Sequence, residues 1–118
     1  MFKKKYSEYQ RLLESTRVIA QHPDKVPIIC EPYSASTPPI NRYKYLVNGN
    51  ITVGQFIHII RPRILGGTYD GGSQALFLFV GSYNNIPPTS ALLANVYNLY
   101  KDADGFLYIT YALENTFG

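Results

Sequence analysis

The 118-residue chain has one cysteine, Cys30, and no tryptophan. A lone thiol excludes an intrachain disulfide, and with it a secreted disulfide scaffold. Only His22 and His58 remain as further soft ligands, too few for a cysteine-rich metal site. Charge is sparse at 16%, against 46% hydrophobic residues, which excludes a disordered chain. Long apolar runs are missing too. The longest uncharged one covers residues 75–80, far short of the ~20 residues of a membrane-spanning helix. The first residues have the charge of a signal peptide, but Glu8, Arg11 and Glu14 interrupt the apolar stretch that must follow. Phe2 excludes N-myristoylation. The expectation is one soluble intracellular domain, burying roughly two-thirds of its unfolded surface.

What charge there is lies unevenly. Residues 1–65 hold ten Lys/Arg against four acids, and residues 66–118 hold one Lys against four acids. The first part attracts acidic partners or anionic surfaces. Tyrosine is abundant, yet no basic-aromatic ribonucleoprotein motif occurs, so nucleic acid is not an expected partner.

Local signals give eight elements. Residues 2–6 are too short for a stable helix alone and must dock or stay mobile. Ser7 with Gln10 forms a capping box, and Leu12, Thr16 and Ile19 mark the buried stripe of the helix that follows, up to Pro23. Residues 26–30 read as a β-branched strand, and residues 43–47 as a second one closed by Asn48-Gly49. Thr52 with Gln55 is a second capping box. It opens a helix with Val53, Phe56, Ile60 and Ile64 facing a core, strained at Pro62 and stopped by Gly66-Gly67. Residues 75–80 predict a strand buried on both faces. Pro87-Pro88 introduces a helix capped by Thr89 or Ser90, with Leu93, Val96, Tyr97 and Tyr100 inward. Residues 106–112 predict the last strand.

Motifs for small-molecule chemistry fail on inspection. Gly66 to Ser73 has the glycine gap of a phosphate loop, but Gly72 stands where the lysine must be. Asp102-x-Asp104-Gly105 resembles a calcium loop, but the glycine comes early and the distal glutamate is missing. Asn50-Ile51-Thr52 matches a glycosylation sequon and is read as a turn with the Thr52 cap. Cys30 sits inside a strand with nothing to lower its pKa, so it reads as core. No paired carboxylates, triad or metal cluster points to an enzyme.

The element order is helix, helix, strand, strand, helix, strand, helix, strand. This fits an α+β, ubiquitin-like β-grasp with an N-terminal helical extension: residues 1–22 as extension, 23–113 as core and 114–118 as tail. A ferredoxin-like split unit fits less well. On a β-grasp, Gly118 is an acyl group without a side chain, suited to adenylation, transfer to an enzyme thiol and then to an amine. Three functions stay open at this point: a lipid-conjugated modifier, a modifier joined to protein lysines, and a non-conjugated ubiquitin-like binding module.

The strings His22-Pro23-Asp24-Lys25-Val26-Pro27-Ile28-Ile29, Lys44-Tyr45-Leu46-Val47, Thr52-Val53-Gly54-Gln55-Phe56, Ile86-Pro87-Pro88-Thr89 and Asp104-Gly105-Phe106-Leu107-Tyr108 narrow the choice. With them the chain resembles the ubiquitin-like autophagy modifiers. That family includes the yeast autophagosome modifier, microtubule-associated light chain three and the GABA-receptor-associated protein. The resemblance covers nearly the whole chain. It implies a non-enzyme without cofactors, conjugated through Gly118 to phosphatidylethanolamine by an activating and a conjugating enzyme, and served by a processing and deconjugating cysteine protease. It implies a monomer before conjugation, in the cytoplasm, and an autophagosome-membrane protein after it.

The resemblance further implies receptors and adaptors carrying an aromatic-x-x-aliphatic motif that adds as a strand beside residues 43–47. Glu14, Val18, Pro27, Ile29, Lys44, Leu46 and Phe106 would take the aromatic anchor. Tyr45, Val47, Ile51, Phe56 and Ile59 would take the aliphatic one. Lys25, Arg42 and Arg63 would attract acids flanking the motif. Tyr43, Asn48 and Pro62 depart from the residues usual in the family.

Overall fold

A computed structural model describes residues 1–65 and 75–113. In chain order the elements are α1 (Phe2–Lys5), α2 (Glu8–Gln21), β1 (Lys25–Pro32), β2 (Lys44–Asn48), α3 (Val53–Ile60), β3 (Leu76–Val80), α4 (Leu93–Tyr100) and β4 (Leu107–Leu113). The strands form one sheet in the order β2-β1-β4-β3. The central pair, β1 with β4, is parallel, and both outer pairs are antiparallel. This is the β-grasp order, with α1 and α2 as the N-terminal extension.

Both capping boxes form. Ser7 Oγ accepts from the Gln10 amide at 3.1 Å, and Gln10 Oε1 accepts from the Ser7 amide at 2.9 Å. Thr52 and Gln55 repeat the exchange at 3.1 and 2.8 Å. Thr52 of the sequon is thus a helix cap. In α3 the expected Val53, Phe56 and Ile60 are buried. The helix ends at Ile60, and residues Arg61–Arg63 tighten into a 3₁₀ turn. There Pro62 has no amide to extend the α-helical ladder. Gly66 and Gly67 lie outside the described residues.

Two expectations need correction. Most of the stripe of α2 chosen from periodicity faces outward: Leu12 is 43% exposed, Thr16 is exposed and the neighbouring Leu13 is 53% exposed; Ile19 is half-buried, and the buried positions are Arg11 and Ser15. α4 takes no cap from Thr89 or Ser90. It starts later, after Leu92, and the amides of Leu93 and Ala94 donate to the carbonyls of Ile51 and Gly49 at 2.9 Å. Backbone carbonyls thus satisfy donors that a hydroxyl normally takes. β3 is largely buried as expected, at the edge of the sheet and paired antiparallel to β4.

The face of the sheet under α3 and α4 is apolar. Ile28, Cys30, Leu107, Ile109 and Tyr111 meet Phe56, Ile60, Leu93 and Val96 there. Cys30 is fully buried, and burial pushes its thiol pKa far up, so it stays protonated in the core.

The other face is a polar seam with an aromatic corner. Arg11 pairs with Asp104, which has no exposed surface. Asp104 also accepts from the Tyr108 hydroxyl and, at 2.9 Å, from the Phe106 amide. Ser15 Oγ donates to the Asp104 carbonyl at 2.5 Å. Gly105, at φ +88°, lets this turn lie against α2; a Cβ there would overlap the Ser15 hydroxyl. Beside the seam Phe2 is 2% exposed, clustered with Ile29 and Phe106 and ringed by Tyr6, Tyr43 and Tyr108. The arm is therefore docked.

Candidate functional site

β2 lies at one edge of the sheet, so one row of its amides and carbonyls has no strand beside it. The Cys30 amide donates to the Tyr43 carbonyl at 2.8 Å. Alternation along an antiparallel strand then turns the Tyr45 backbone inward and those of Lys44 and Leu46 toward the open edge. The Lys44 carbonyl does accept there, from Arg42 Nε at 3.2 Å.

Between this edge and α2 runs a cleft of about 160 Å³. Its walls are Glu14 and Val18 from α2 and Lys44 and Leu46 from β2; Pro27, Ile28 and Phe106 complete its apolar lining. Arg42 and Tyr45 also reach it. Of the residues proposed for an aromatic anchor, all but Ile29 line this one cleft. Ile29 is fully buried behind Phe106. Ile28 was missed because its alternation places it in the α3-facing core, where it also belongs.

The rim is cationic. Lys44 Nζ is 2.8 Å from Glu14 Oε2, and lies 5.2 and 5.8 Å from the ring centres of Phe2 and Tyr6. Arg42 stands 5.7 Å over the Tyr45 ring and, through its carbonyl, accepts from the Tyr45 hydroxyl at 2.8 Å. Burial is the main cause pushing the Tyr45 phenol up to about 12, against the opposing pull of Arg63 and Arg42. Tyr45 is therefore a neutral donor at physiological pH.

The residues proposed for an aliphatic anchor are less gathered. Tyr45 and Phe56 meet edge-on at 5.4 Å inside the core. Val47 and Ile51 pack half-buried against it, and Ile59 is 39% exposed on the outer side of α3. Arg63 is exposed in the 3₁₀ turn. Lys25 lies elsewhere: it is opposite Asn48 at the far end of the hairpin and lines a separate depression with Ile19 and Tyr97. Gly118 lies outside the described residues. No group of three His, Cys, Asp or Glu side chains fit to hold a metal occurs among the described residues. Nor is any described helix long and apolar enough to cross a membrane.

A family profile described as "Autophagy protein Atg8 ubiquitin like" matches residues 10–118. The chain belongs to the Atg8 family. Autophagy-related protein 8b of Arabidopsis thaliana is 47% identical over 109 residues, 92% of this chain and 84% of that protein. Autophagy-related protein 8 of Kluyveromyces lactis is 42% identical over 118 residues, 99% of this chain and 90% of that protein. Among solved structures, Trypanosoma brucei ATG8 superposes with a TM-score of 0.84 at 38% identity, covering 99% of this chain and 97% of that one. Plasmodium falciparum Atg8, in complex with a Plasmodium falciparum Atg3 peptide, gives 0.81 at 30% identity, covering 95% and 94%. The Atg8 family is one of ubiquitin-like modifiers in autophagy. In this member the open backbone row, apolar floor and cationic rim suit an extended peptide with an apolar anchor and a neighbouring acid.

Proposed function

We propose that this Atg8-family chain is conjugated through Gly118 to phosphatidylethanolamine and recruits partners whose aromatic-x-x-aliphatic motif docks beside β2. The cleft carries the reading: one strand edge, one apolar floor and two cations, Lys44 and Arg42, meet within the length of a short peptide. The peptide adds as an edge strand on the Lys44 and Leu46 backbone, and its aromatic side chain enters between Val18 and Phe106. Its aliphatic residue, three positions further and so on the opposite face of the added strand, lies over Val47, Ile51 and Ile59. Acids before the aromatic meet Lys44 and Arg42, with Arg63 and Lys25 acting at longer range through screened attraction.

The conjugation half is supported by family membership, by the Atg3 peptide bound to the Plasmodium relative, and by the lack of a side chain at Gly118. An activating enzyme, a conjugating enzyme of the Atg3 kind and a deconjugating cysteine protease are the partners this chemistry requires. The places implied are the cytoplasm and the autophagosome membrane.

Calorimetric titration with an aromatic-x-x-leucine peptide tests the first half. Leu46→Ala removes part of the cleft wall and is expected to weaken binding by about 2–4 kcal/mol. Wild-type affinity in that variant would mean the peptide docks elsewhere. For the second half, the protein is incubated with the cascade enzymes, ATP and phosphatidylethanolamine vesicles. Gly118→Ala is expected to abolish the lipid-linked product, and a product formed as readily as in wild type would remove Gly118 from the reaction.

A further inference from the structure

We propose that Phe2 is a positioning residue for the cleft, so that seating of the N-terminal arm and occupancy of the cleft by an acid-flanked peptide strengthen each other. The proposal rests on the peptide-docking reading above and extends it to α1, an element that reading leaves without a role. Four residues of helix cannot hold themselves. What holds α1 is its niche: Phe2 is buried against Ile29 and Phe106, its amide donates to Glu31 Oε2 at 2.8 Å, and Lys3 pairs with Asp102 at 2.5 Å.

Two groups belong to the niche and to the cleft at once. The first is Phe106. One side of this residue lines the cleft, and Phe2 sits edge-on against its ring at 5.3 Å. With Phe2 absent, the space behind the ring opens and Phe106 withdraws into it, loosening the cleft wall. The second is Lys44. Its ammonium at the cleft rim is held by Glu14 and by the faces of Phe2 and Tyr6. Two rings and one carboxylate fix its place without neutralising it fully, leaving it aimed at an incoming acid. With the arm unseated, Lys44 keeps only Glu14 and pays more ordering entropy to meet the peptide. Whatever the seated arm adds to peptide affinity, the bound peptide must return to arm seating by the same factor.

Two peptides, one with an aspartate before the aromatic and one without, are titrated into wild type, Phe2→Ala and Phe2→Leu. Phe2→Ala is expected to weaken both about tenfold. Phe2→Leu refills the space behind Phe106 but leaves Lys44 only the Tyr6 ring. It is expected to recover the neutral peptide but not the full extra affinity that the aspartate confers at low salt. A residue that merely stabilises the fold would not separate the two peptides. In wild type, hydrogen exchange at the amides of Lys4, Lys5 and Tyr6, which donate to the Met1 and Phe2 carbonyls, is expected to slow about tenfold at saturating peptide.

Equal affinities of Phe2→Ala and wild type, within about twofold, overturn the proposal. Unchanged exchange at those amides overturns it as well, and this measurement decides if Phe2→Ala does not fold. A wild-type protein that binds neither peptide overturns the docking reading and the proposal with it, which separates the two failures.

Discussion

Toward α3 and α4 the sheet presents Ile28, Leu107, Ile109 and Tyr111 to a helix pair that answers with Phe56, Ile60, Leu93 and Val96. Toward α2 the chain presents Asp104 and Tyr108, and the helix answers with Arg11 and Ser15. Apolar contact has no direction and tolerates exchange of shape for similar shape. A buried ion pair is directional, and each member is costly once the other is gone. One helix layer is therefore held by many interchangeable contacts, and the other by a few that cannot be exchanged singly. The cleft lies on the second side, where a position is fixed by named partners.

Removing one partner tests this difference most severely. Asp104→Ala leaves Arg11, a residue only 8% exposed, without its carboxylate, and the Phe106 amide without its acceptor. Urea unfolding is expected to show a loss of about 3–5 kcal/mol. Replacing both members, Arg11→Met with Asp104→Leu, is expected to recover part of it, since the Phe106 amide and Tyr108 hydroxyl still lack the Asp104 acceptor. A double variant no better than the single one would mean that the seam is not held by the pair.

A smaller effect comes from acid. Burial pushes the Asp102 carboxyl up, but the Lys3 ammonium and the Asp104 amide outweigh it, and the net pKa lies below its ordinary 3.8. A lowered folded pKa contributes stability that is present above 3.8 and lost as pH falls through the lower folded value. Both partners are partly exposed, so the step is at most about 1 kcal/mol. Unfolding midpoints between pH 2 and 5 are expected to show a larger step in wild type than in Lys3→Ala. An identical acid profile in the two would take this pair out of the arm's docking.

The smallest expected effect is at Leu13, on the outer side of α2. Leu13→Ser is expected to change stability by no more than about 0.5 kcal/mol. A loss above 2 kcal/mol would turn the helix over and dissolve the contrast between the two layers.

This contrast also decided what could be read from the residues. In α3 the apolar period and the buried face agree, because its partner surface is apolar; Val53, Phe56 and Ile60 are where their spacing placed them. In α2 the buried face holds Arg11, which every hydropathy pattern counts as outside. Its partner Asp104 lies 93 positions away in the chain. No local window contains both, so Leu12 and Thr16 took the place of Arg11 and Ser15. The start of α4 was misplaced for a like reason, since its donors go to carbonyls of the β2–α3 loop rather than to a nearby hydroxyl. In the cleft, strand alternation placed Lys44 and Leu46 on one side. The docking of Phe2 was left undecided, although Phe2 and Tyr6 at a four-residue spacing were a signal for it; the rings now lie 5.2 Å apart.

The niche of Phe2 also sets an order in time. On the ribosome, at a synthesis rate of roughly 5–20 residues per second, Phe2 emerges seconds before Phe106 and Tyr108, two of the rings around it. The same holds for the parallel partner of β1, since Ile28 pairs with Leu107. The β1–β2 hairpin and α3 can assemble early from near neighbours, but the sheet centre and the Phe2 niche must await β4. The arm is thus made before β4 and seated only with it. Until β4 folds in, its phenylalanine and basic residues are open to chaperones.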